Sequence, residues 1–182
     1  MEDFGGRWGV CGGWAIDLFI GHQSRAHADI DIAILRDDQR RLRECLSDAG
    51  VEKVVDGQLV PWDAGERLEL PTHEVHVSWP DGFHLELLLN EWDRATGEWV
   101  FRRDPRIRRA AEAVFSIGQG MPHLAPEVVL LYKSKGPGPK DDADFSVAVG
   151  LMGGEQRAWL RDAIVRTQPE HRWAEVLGRV LE

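Results

Sequence analysis

The spacing of apolar and polar positions divides the chain into a strand-rich first part and a helical second part. Within residues 73–79 apolar side chains occupy every second position, which is typical of a strand with one buried face. Beyond Met121 they recur three and four residues apart, and Pro126 suits the first turn of a helix. We therefore predict an α/β protein with a mixed β-sheet core over residues 1–121 and a helical C-terminal region over residues 122–182.

Apolar runs that are bounded by turn residues predict the individual elements. The predicted strands are Arg7–Cys11, Ile30–Leu35, Val51–Val55, Gln58–Trp62, His73–Trp79, Phe83–Asn90, Trp99–Arg103 and Glu112–Ile117. The predicted helices are Trp14–Ile20, Gln39–Ala49, one that begins near Pro126, Asp141–Leu151, Glu155–Arg166 and His171–Leu181.

Composition limits the partners and the compartment. With 22 basic and 31 acidic residues the chain has a net charge of −9, which disfavours a nucleic-acid substrate because such substrates are bound by basic surfaces. The two cysteines, Cys11 and Cys45, lie in apolar stretches and are expected to be reduced. No apolar run approaches the roughly 18 residues of a membrane helix. We expect a cytoplasmic protein without a membrane segment.

Two acidic residues, two positions apart, give the first indication of chemistry. Asp29 and Asp31 are expected to point to one side of a strand whose other side carries Ile30 and Ile32. Adjacent carboxylates repel each other unless a cation lies between them, and a divalent metal ion is the natural partner. An Asp-x-Asp pattern is also common in proteins without a metal, so the pair alone does not decide the matter.

A pair of glycines precedes the acidic pair. Gly12 and Gly13 open a predicted helix, where exposed backbone N–H groups form a natural phosphate site. Two glycines before a helix are also a common tight turn. A metal site and a phosphate site within one segment together indicate nucleotide chemistry.

A third carboxylate stands on a later strand. Glu86 is flanked by leucines in H-L-E-L-L-L, and a carboxylate on a buried strand is costly unless it is paired or bound to a metal. In metal-assisted nucleotide chemistry such a group can hold a second cation or accept the proton of an attacking hydroxyl. The alternative is a Glu86 that is exposed at the strand end, and Glu74 and Glu91 are weaker candidates for the same role.

Segments around these residues form a longer pattern, which comprises Gly12–Asp17, Gly21, Ser24–His27, Asp29–Asp31, Leu124–Lys135 and Lys140–Phe145. The first four segments resemble the G-G-W-A-hydrophobic-D, G and T-R-x-H-x-D-x-D signature of the aminoglycoside nucleotidyltransferases, which belong to the superfamily of DNA polymerase β. The last two resemble that family's L-A-P-E-hydrophobic, K-x-K and K-D-x-x-D-F pattern. Ser24 stands where threonine is usual.

The resemblance implies the nucleotidyltransferase fold and assigns roles to the acidic residues and the glycines. Asp29, Asp31 and Glu86 are expected to bind Mg²⁺, as two ions, and Glu86 to act as metal ligand, general base or both. The phosphates of the nucleotide are expected to lie on the turn of Gly12 and Gly13.

The resemblance also assigns basic residues to the nucleotide. Arg25, Lys133 and Lys140 are expected to contact the nucleotide and to neutralise its phosphate charge. The alternative role of Arg25 is an ion pair with Asp29 or Asp17.

Three other features have mainly structural interpretations. His27 is expected to orient Asp29 or Asp31 from behind, or to be a simple loop residue. Glu127, in the first turn of its helix, is expected to offset the helix dipole. The basic segment Arg102–Arg109 is expected to be a solvated or salt-bridged strand end.

The resemblance implies an enzyme that transfers a nucleoside monophosphate to a hydroxyl group and releases pyrophosphate. The expected donor is ATP or another NTP, and the expected acceptor is a small molecule such as an aminoglycoside, which would be an antibiotic-resistance activity. Two alternatives stay open. One is transfer to a protein or RNA, as in toxin–antitoxin relatives, with Arg102–Arg109 as the docking surface, and the other is a non-catalytic nucleotide-binding module.

Overall fold

The computed structural model of the chain describes residues 4–179, within which ten β-strands form one mixed sheet and six α-helices are found. The strands are β1 (Trp8–Val10), β2 (Asp31–Leu35), β3 (Gly50–Val55), β4 (Gln58–Pro61), β5 (Glu74–Ser78), β6 (His84–Asp93), β7 (Glu98–Val100), β8 (Arg108–Ala110), β9 (Phe115–Gly118) and β10 (Met121–Leu124). The helices are α1 (Gly12–Ile20), α2 (Gln39–Cys45), α3 (Pro126–Lys133), α4 (Pro139–Val149), α5 (Gly154–Thr167) and α6 (Arg172–Arg179). The α/β class with C-terminal helices is confirmed.

The strand order brings the two strands that carry the predicted acids together. The strands follow the order β4-β3-β5-β6-β2-β1-β10-β9, and β7 and β8 extend the sheet from the C-terminal end of β6. β2 is parallel to β6 and β1 is parallel to β10, whereas the other pairs are antiparallel. The first residues of β2 therefore lie beside the first half of β6.

The two faces of the sheet pack into separate apolar clusters, which fixes the direction of side chains on the central strands. Ile32 and Leu87 belong to one cluster, whereas Ala33 packs on the opposite face among buried residues of α3 to α6. Because successive residues of a strand point to opposite faces, Asp31 and Glu86 point to the side of the C-terminal helices. The alternation in β2 predicts this orientation correctly.

Some element boundaries differ from the prediction, for local reasons. The strand predicted over Glu112–Ile117 begins later, as β9, because Ala111–Ala113 form a 3₁₀ turn. The sequence pattern does not predict β10, since M-P-H-L contains a proline and proline usually marks the end of a strand. The sheet therefore continues to Leu124, and the helical region begins with α3.

Two expectations from composition concern the cysteines and the membrane. Neither cysteine forms a disulfide; Cys11 is buried, but Cys45 is exposed on α2 and does not contribute to the core as its apolar neighbours suggest. Among residues 4–179, no helix combines the length and the apolar character that a membrane span requires.

Glu127 lies in the first turn of α3, as predicted, but its surroundings are those of a buried ion pair. Its side chain is fully buried and accepts hydrogen bonds from Arg109 and, at 2.7 Å, from Nε2 of Gln156. Burial raises the pKa of Glu127, and the charge of Arg109 opposes this shift. The pair connects β8 with α3 and α5.

We predict that breaking this ion pair destabilises the protein. Arg109→Met leaves the Glu127 carboxylate without its counter-charge in the interior, so we expect the free energy of unfolding in urea to fall by about 3 kcal/mol. The control is Arg40→Gln, because the Arg40 side chain is 90% exposed and its ion pair contributes little. The double variant Arg109→Met/Glu127→Leu should recover a large part of the loss, and simple additivity of the two single losses would contradict this coupling.

Candidate active site

The three predicted carboxylates lie near each other at one end of the central strands. Asp31 is the first residue of β2, and its register partner in the parallel strand β6 is Glu86. Asp29 precedes β2 and is exposed. Within residues 4–179, no lysine or arginine lies within ion-pair distance of any of these carboxylates, and Glu86 has only Nε2 of His76 at 4.0 Å.

The electrostatics of the site show the cost of this arrangement. Burial raises the pKa of Asp31, the charge of Asp29 raises it further, and the charge of Lys133 opposes the shift. Burial also raises the pKa of Glu86, with the charge of Asp31 as the next cause. Oxygen ligands with uncompensated negative charge are what Mg²⁺ prefers, so these residues fit a divalent cation.

Each glycine of the turn makes room for a side chain of the site. Gly12 has a φ of +63°, and a Cβ at this position would lie 1.9 Å from Oδ2 of Asp31. A Cβ on Gly13 would lie 2.3 Å from Nη2 of Arg25 and 2.4 Å from Nδ1 of His27. The N-terminus of α1, which carries no side-chain cap, is thus brought directly against the acidic strand and leaves its N–H groups available to an anion.

The loop between α1 and β2 is held by Asp17. This buried carboxylate accepts hydrogen bonds from the backbone N–H of Ser24 at 3.0 Å and from its hydroxyl at 2.6 Å, and it contacts Nε2 of His27 at 2.5 Å. Burial raises the pKa of Asp17, but these hydrogen bonds outweigh it, so the pKa is lowered. His27 therefore contacts Asp17, not Asp29 or Asp31, and Ser24, at the position where threonine is usual in the family signature, donates its hydroxyl to the same carboxylate.

Arg25 and Lys133 meet at one buried carboxylate. Arg25 donates to Asp144 through Nε at 2.7 Å and Nη2 at 2.9 Å, and Nζ of Lys133 lies 3.0 Å from Asp144 and 2.9 Å from Asp141. Asp144 is 1% exposed. The partner of Arg25 is thus neither Asp29 nor Asp17, the two that the sequence suggested. Lys140 is exposed in the first turn of α4 and has no ion-pair partner among residues 4–179.

A cleft of about 270 Å³ opens between the sheet and α3. Besides the predicted Gly12, Asp31, Glu86 and Lys133, its walls include Glu74, which the sequence ranked below Glu86, Arg102 and Arg103 of the basic segment, and Tyr132, which sequence reasoning missed. His76 lies beside it, and ligand atoms of Glu74, His76 and Glu86 are within 4.8 Å of one another. The alternation of β5 is the signal that places Glu74 and His76 on a polar face, but the face itself depends on pairing with β6.

We predict that Gly12→Ala weakens binding of Mg²⁺ or Mn²⁺ at least tenfold in calorimetry, because the added Cβ displaces the Asp31 carboxylate. Gly21→Ala is the matched control: it has a φ of +87°, and a Cβ there would meet nothing within 4 Å. Both variants carry the backbone cost of about 1–2 kcal/mol, but the control should keep its metal affinity. Equal metal affinities in the two variants would show that the carboxylate position does not matter.

The sequence profile of the family described as Aminoglycoside-2''-adenylyltransferase matches residues 1–118. No curated protein sequence matches the chain.

Solved structures share the fold at low sequence identity. The lincosamide antibiotic adenylyltransferase LnuA, bound to lincomycin, is 18% identical with a TM-score of 0.57, over 83% of this chain and 90% of that one. ANT(2'')-Ia in complex with adenylyl-2''-tobramycin is 16% identical with a TM-score of 0.57, over 91% of each chain. The solution structure of ANT(2'')-Ia is 18% identical with a TM-score of 0.53, over 98% of this chain and 90% of that one. These likenesses establish the nucleotidyltransferase fold, and the profile match over residues 1–118 shows that the chain belongs to the aminoglycoside-2''-adenylyltransferase family.

Proposed function

We propose that the protein transfers a nucleoside monophosphate, with ATP as the first candidate donor, to a hydroxyl group of a small acceptor and releases pyrophosphate. The observation that carries this proposal is the register pair of Asp31 and Glu86, with Asp29 in front of it and the Gly12 turn against it. Three carboxylates with no lysine or arginine within ion-pair distance among residues 4–179 are suited to hold Mg²⁺ beside a phosphate site.

The chain's own residues supply the phosphate site and the base. Mg²⁺, as two ions held by Asp29, Asp31 and Glu86, would neutralise the triphosphate and make its α-phosphorus more electrophilic. The N–H groups at the start of α1 are proposed to bind phosphate oxygens. Glu86 is proposed to accept the proton of the acceptor hydroxyl, and its raised pKa makes it a stronger base than an ordinary carboxylate. The acceptor oxygen then bonds to the α-phosphorus as the bond to pyrophosphate breaks.

Lys133, Arg25 and Lys140 differ in how many hydrogen-bond donors they have left for a nucleotide. An ammonium group has three donors, and Lys133 directs two at Asp141 and Asp144, which leaves one for a phosphate in the cleft. Arg25 gives three donors to Asp144 and to the carbonyl of Ala26, so its main proposed role is to hold the turn in place. Lys140 is proposed to contact the outer phosphates from its exposed position.

The relatives suggest which acceptors to test first. LnuA is bound to lincomycin, and ANT(2'')-Ia is in complex with an adenylylated tobramycin. We therefore propose a small acceptor with sugar hydroxyls, and aminoglycosides and lincosamides are the first compounds of the assay panel.

A macromolecular acceptor has less support. The basic segment Arg102–Arg109 would have to offer free positive charge to a protein or RNA. Arg106 is paired with Asp104, Arg108 with Asp93, and Arg109 with the buried Glu127. Most of the segment is therefore a salt-bridged strand end, as the sequence predicts.

We predict that Asp31→Asn lowers Mg²⁺-dependent pyrophosphate release at least 100-fold, because one charge of the metal site is lost. The assay uses each NTP with a panel of aminoglycosides and lincosamides. The control is Glu44→Gln, whose side chain is 66% exposed on α2, and it should retain the rate of the parent protein. Release that is indifferent to Asp31→Asn would disprove the assignment of the site.

We also predict that Glu86→Gln separates binding from turnover. Loss of the base should lower kcat at least 100-fold, whereas binding of Mg²⁺ with a non-hydrolysable ATP analogue should change only a few-fold if Asp29 and Asp31 hold the ion that accompanies the nucleotide. Binding and kcat that fall together would instead make Glu86 chiefly a metal ligand.

A further inference from the structure

A pair of guanidinium groups stands in the wall of the cleft and stacks on one aromatic ring. The guanidinium carbons of Arg102 and Arg103 each lie 5.4 Å from the centre of the Tyr132 ring, and Arg103 also donates to the carbonyl of Tyr132 at 2.8 Å. Tyr132 is itself held by Trp99 and Phe101, which pack edge-on against it at 6.0 and 5.0 Å. The ring and its neighbours thus fix the place of both positive charges.

These two charges lack carboxylate partners, whereas Lys133 in the same cleft is paired with Asp144, and Arg36 is paired with Glu91 at 2.6 Å. Among residues 4–179, no carboxylate lies within ion-pair distance of Arg102 or Arg103. Arg103 is exposed, so water solvates its charge, but Arg102 is half-buried, where its solvation is reduced and no counter-charge replaces it.

Arg102 lies on the side of the cleft that is away from the turn of Gly12 and Gly13, where we expect the acceptor to bind. Across the sheet, Gly12 follows β1, Asp31 stands on β2, Glu86 on β6 and Glu74 on β5, in the spatial order β1-β2-β6-β5. Arg102 and Glu74 line the same cleft, and the Tyr132 ring on which Arg102 stacks donates its hydroxyl to Oδ1 of Asn90 at 3.4 Å, farther along β6 than Glu86. Arg102 therefore lies on the Asn90 side of Glu86, away from the turn of Gly12 and Gly13.

We propose that Arg102 and Arg103 bind an anionic group of the acceptor, so that the substrate is a hydroxyl compound with a phosphate or carboxylate group. This inference rests on the proposed nucleotidyl transfer and narrows its acceptor. Guanidinium groups donate in a planar fork that matches carboxylate and phosphate oxygens. A polycationic aminoglycoside would face two like charges here, while Glu74 already bonds to Nε2 of His76 at 2.9 Å.

The test measures acceptor binding to the protein loaded with Mg²⁺ and an ATP analogue whose α and β phosphorus atoms are joined by a methylene group. The probes are hexose phosphates and hydroxy acids, each with its neutral counterpart, together with tobramycin. The variants are Arg102→Gln, Arg102→Lys and the exposed-site variant Arg103→Gln, and Arg40→Gln is the control with a guanidinium lost far from the cleft. Urea midpoints verify that each variant is folded.

We expect at least one anionic probe to bind tenfold or more tightly than its neutral counterpart, and to support pyrophosphate release with ATP. Arg102→Gln should abolish this preference, Arg102→Lys should retain part of it, and Arg103→Gln should weaken it. The affinity for the ATP analogue should stay within threefold in all of them, as should every affinity in Arg40→Gln.

Three results would overturn the inference. Loss of the ATP analogue in Arg102→Gln would mean that the guanidinium binds a nucleotide phosphate. Tightest binding of tobramycin, unchanged or improved in Arg102→Gln, would mean a cationic acceptor. If no anionic probe binds more tightly than its neutral counterpart, the two arginines pack on Tyr132 and do not bind the acceptor. Failure of the proposed transfer can be distinguished from failure of this inference. In that case Mg²⁺-dependent binding of the analogue and pyrophosphate release would both be unchanged in Asp31→Asn.

Discussion

Burial of the Asp31 and Glu86 carboxyl groups beside each other is the constraint on which the candidate site depends. The parallel pairing of β2 with β6 sets these residues opposite each other, and burial raises the pKa of both. A shift of one residue in register would separate them, but it would turn Ile32 or Leu87 out of the apolar cluster and a carboxylate into it. The apolar face of the sheet thus fixes the acidic face, where a divalent cation is proposed to offset the cost of burying the charges.

A second charge arrangement joins the C-terminal helices to this acidic edge. Asp144 of α4 is almost fully buried and binds both Arg25, from the loop before β2, and Lys133, from the end of α3. Removal of Asp144 would leave Arg25 without its carboxylate partner and Lys133 with Asp141 alone, so this buried carboxylate holds both cations in position. Because Arg25 also packs against Gly13, the helices determine where the turn of Gly12 and Gly13 stands. The sheet and the helical region therefore build one site between them.

How much could be predicted from the sequence depends on how local each contact is. The direction of Asp31 follows from alternation within one strand, and the start of α3 follows from Pro126, so both are predictable. The partner of Arg25 is 119 residues away, and local spacing suggested Asp29 or Asp17 instead. The pairing of Glu86 with Asp31 is likewise a matter of register between distant strands, for which the family resemblance was the available guide. Arg102 looked solvated because its partner Tyr132 lies on a different element.

Cations with carboxylate partners and cations without them lie at different ends of the cleft. Near the phosphate turn the cations Arg25 and Lys133 already have carboxylate partners, whereas at the opposite end Arg102 and Arg103 have none among residues 4–179. The first group belongs to the segments that carry the family signature; the second lies in the connection between β7 and β8, outside them. Scaffolds commonly keep catalytic groups on rigid elements and vary specificity in loops. Family membership therefore supports the proposed transfer step more than the proposed acceptor, because the residues proposed to recognise the acceptor lie in a loop that the signature does not include.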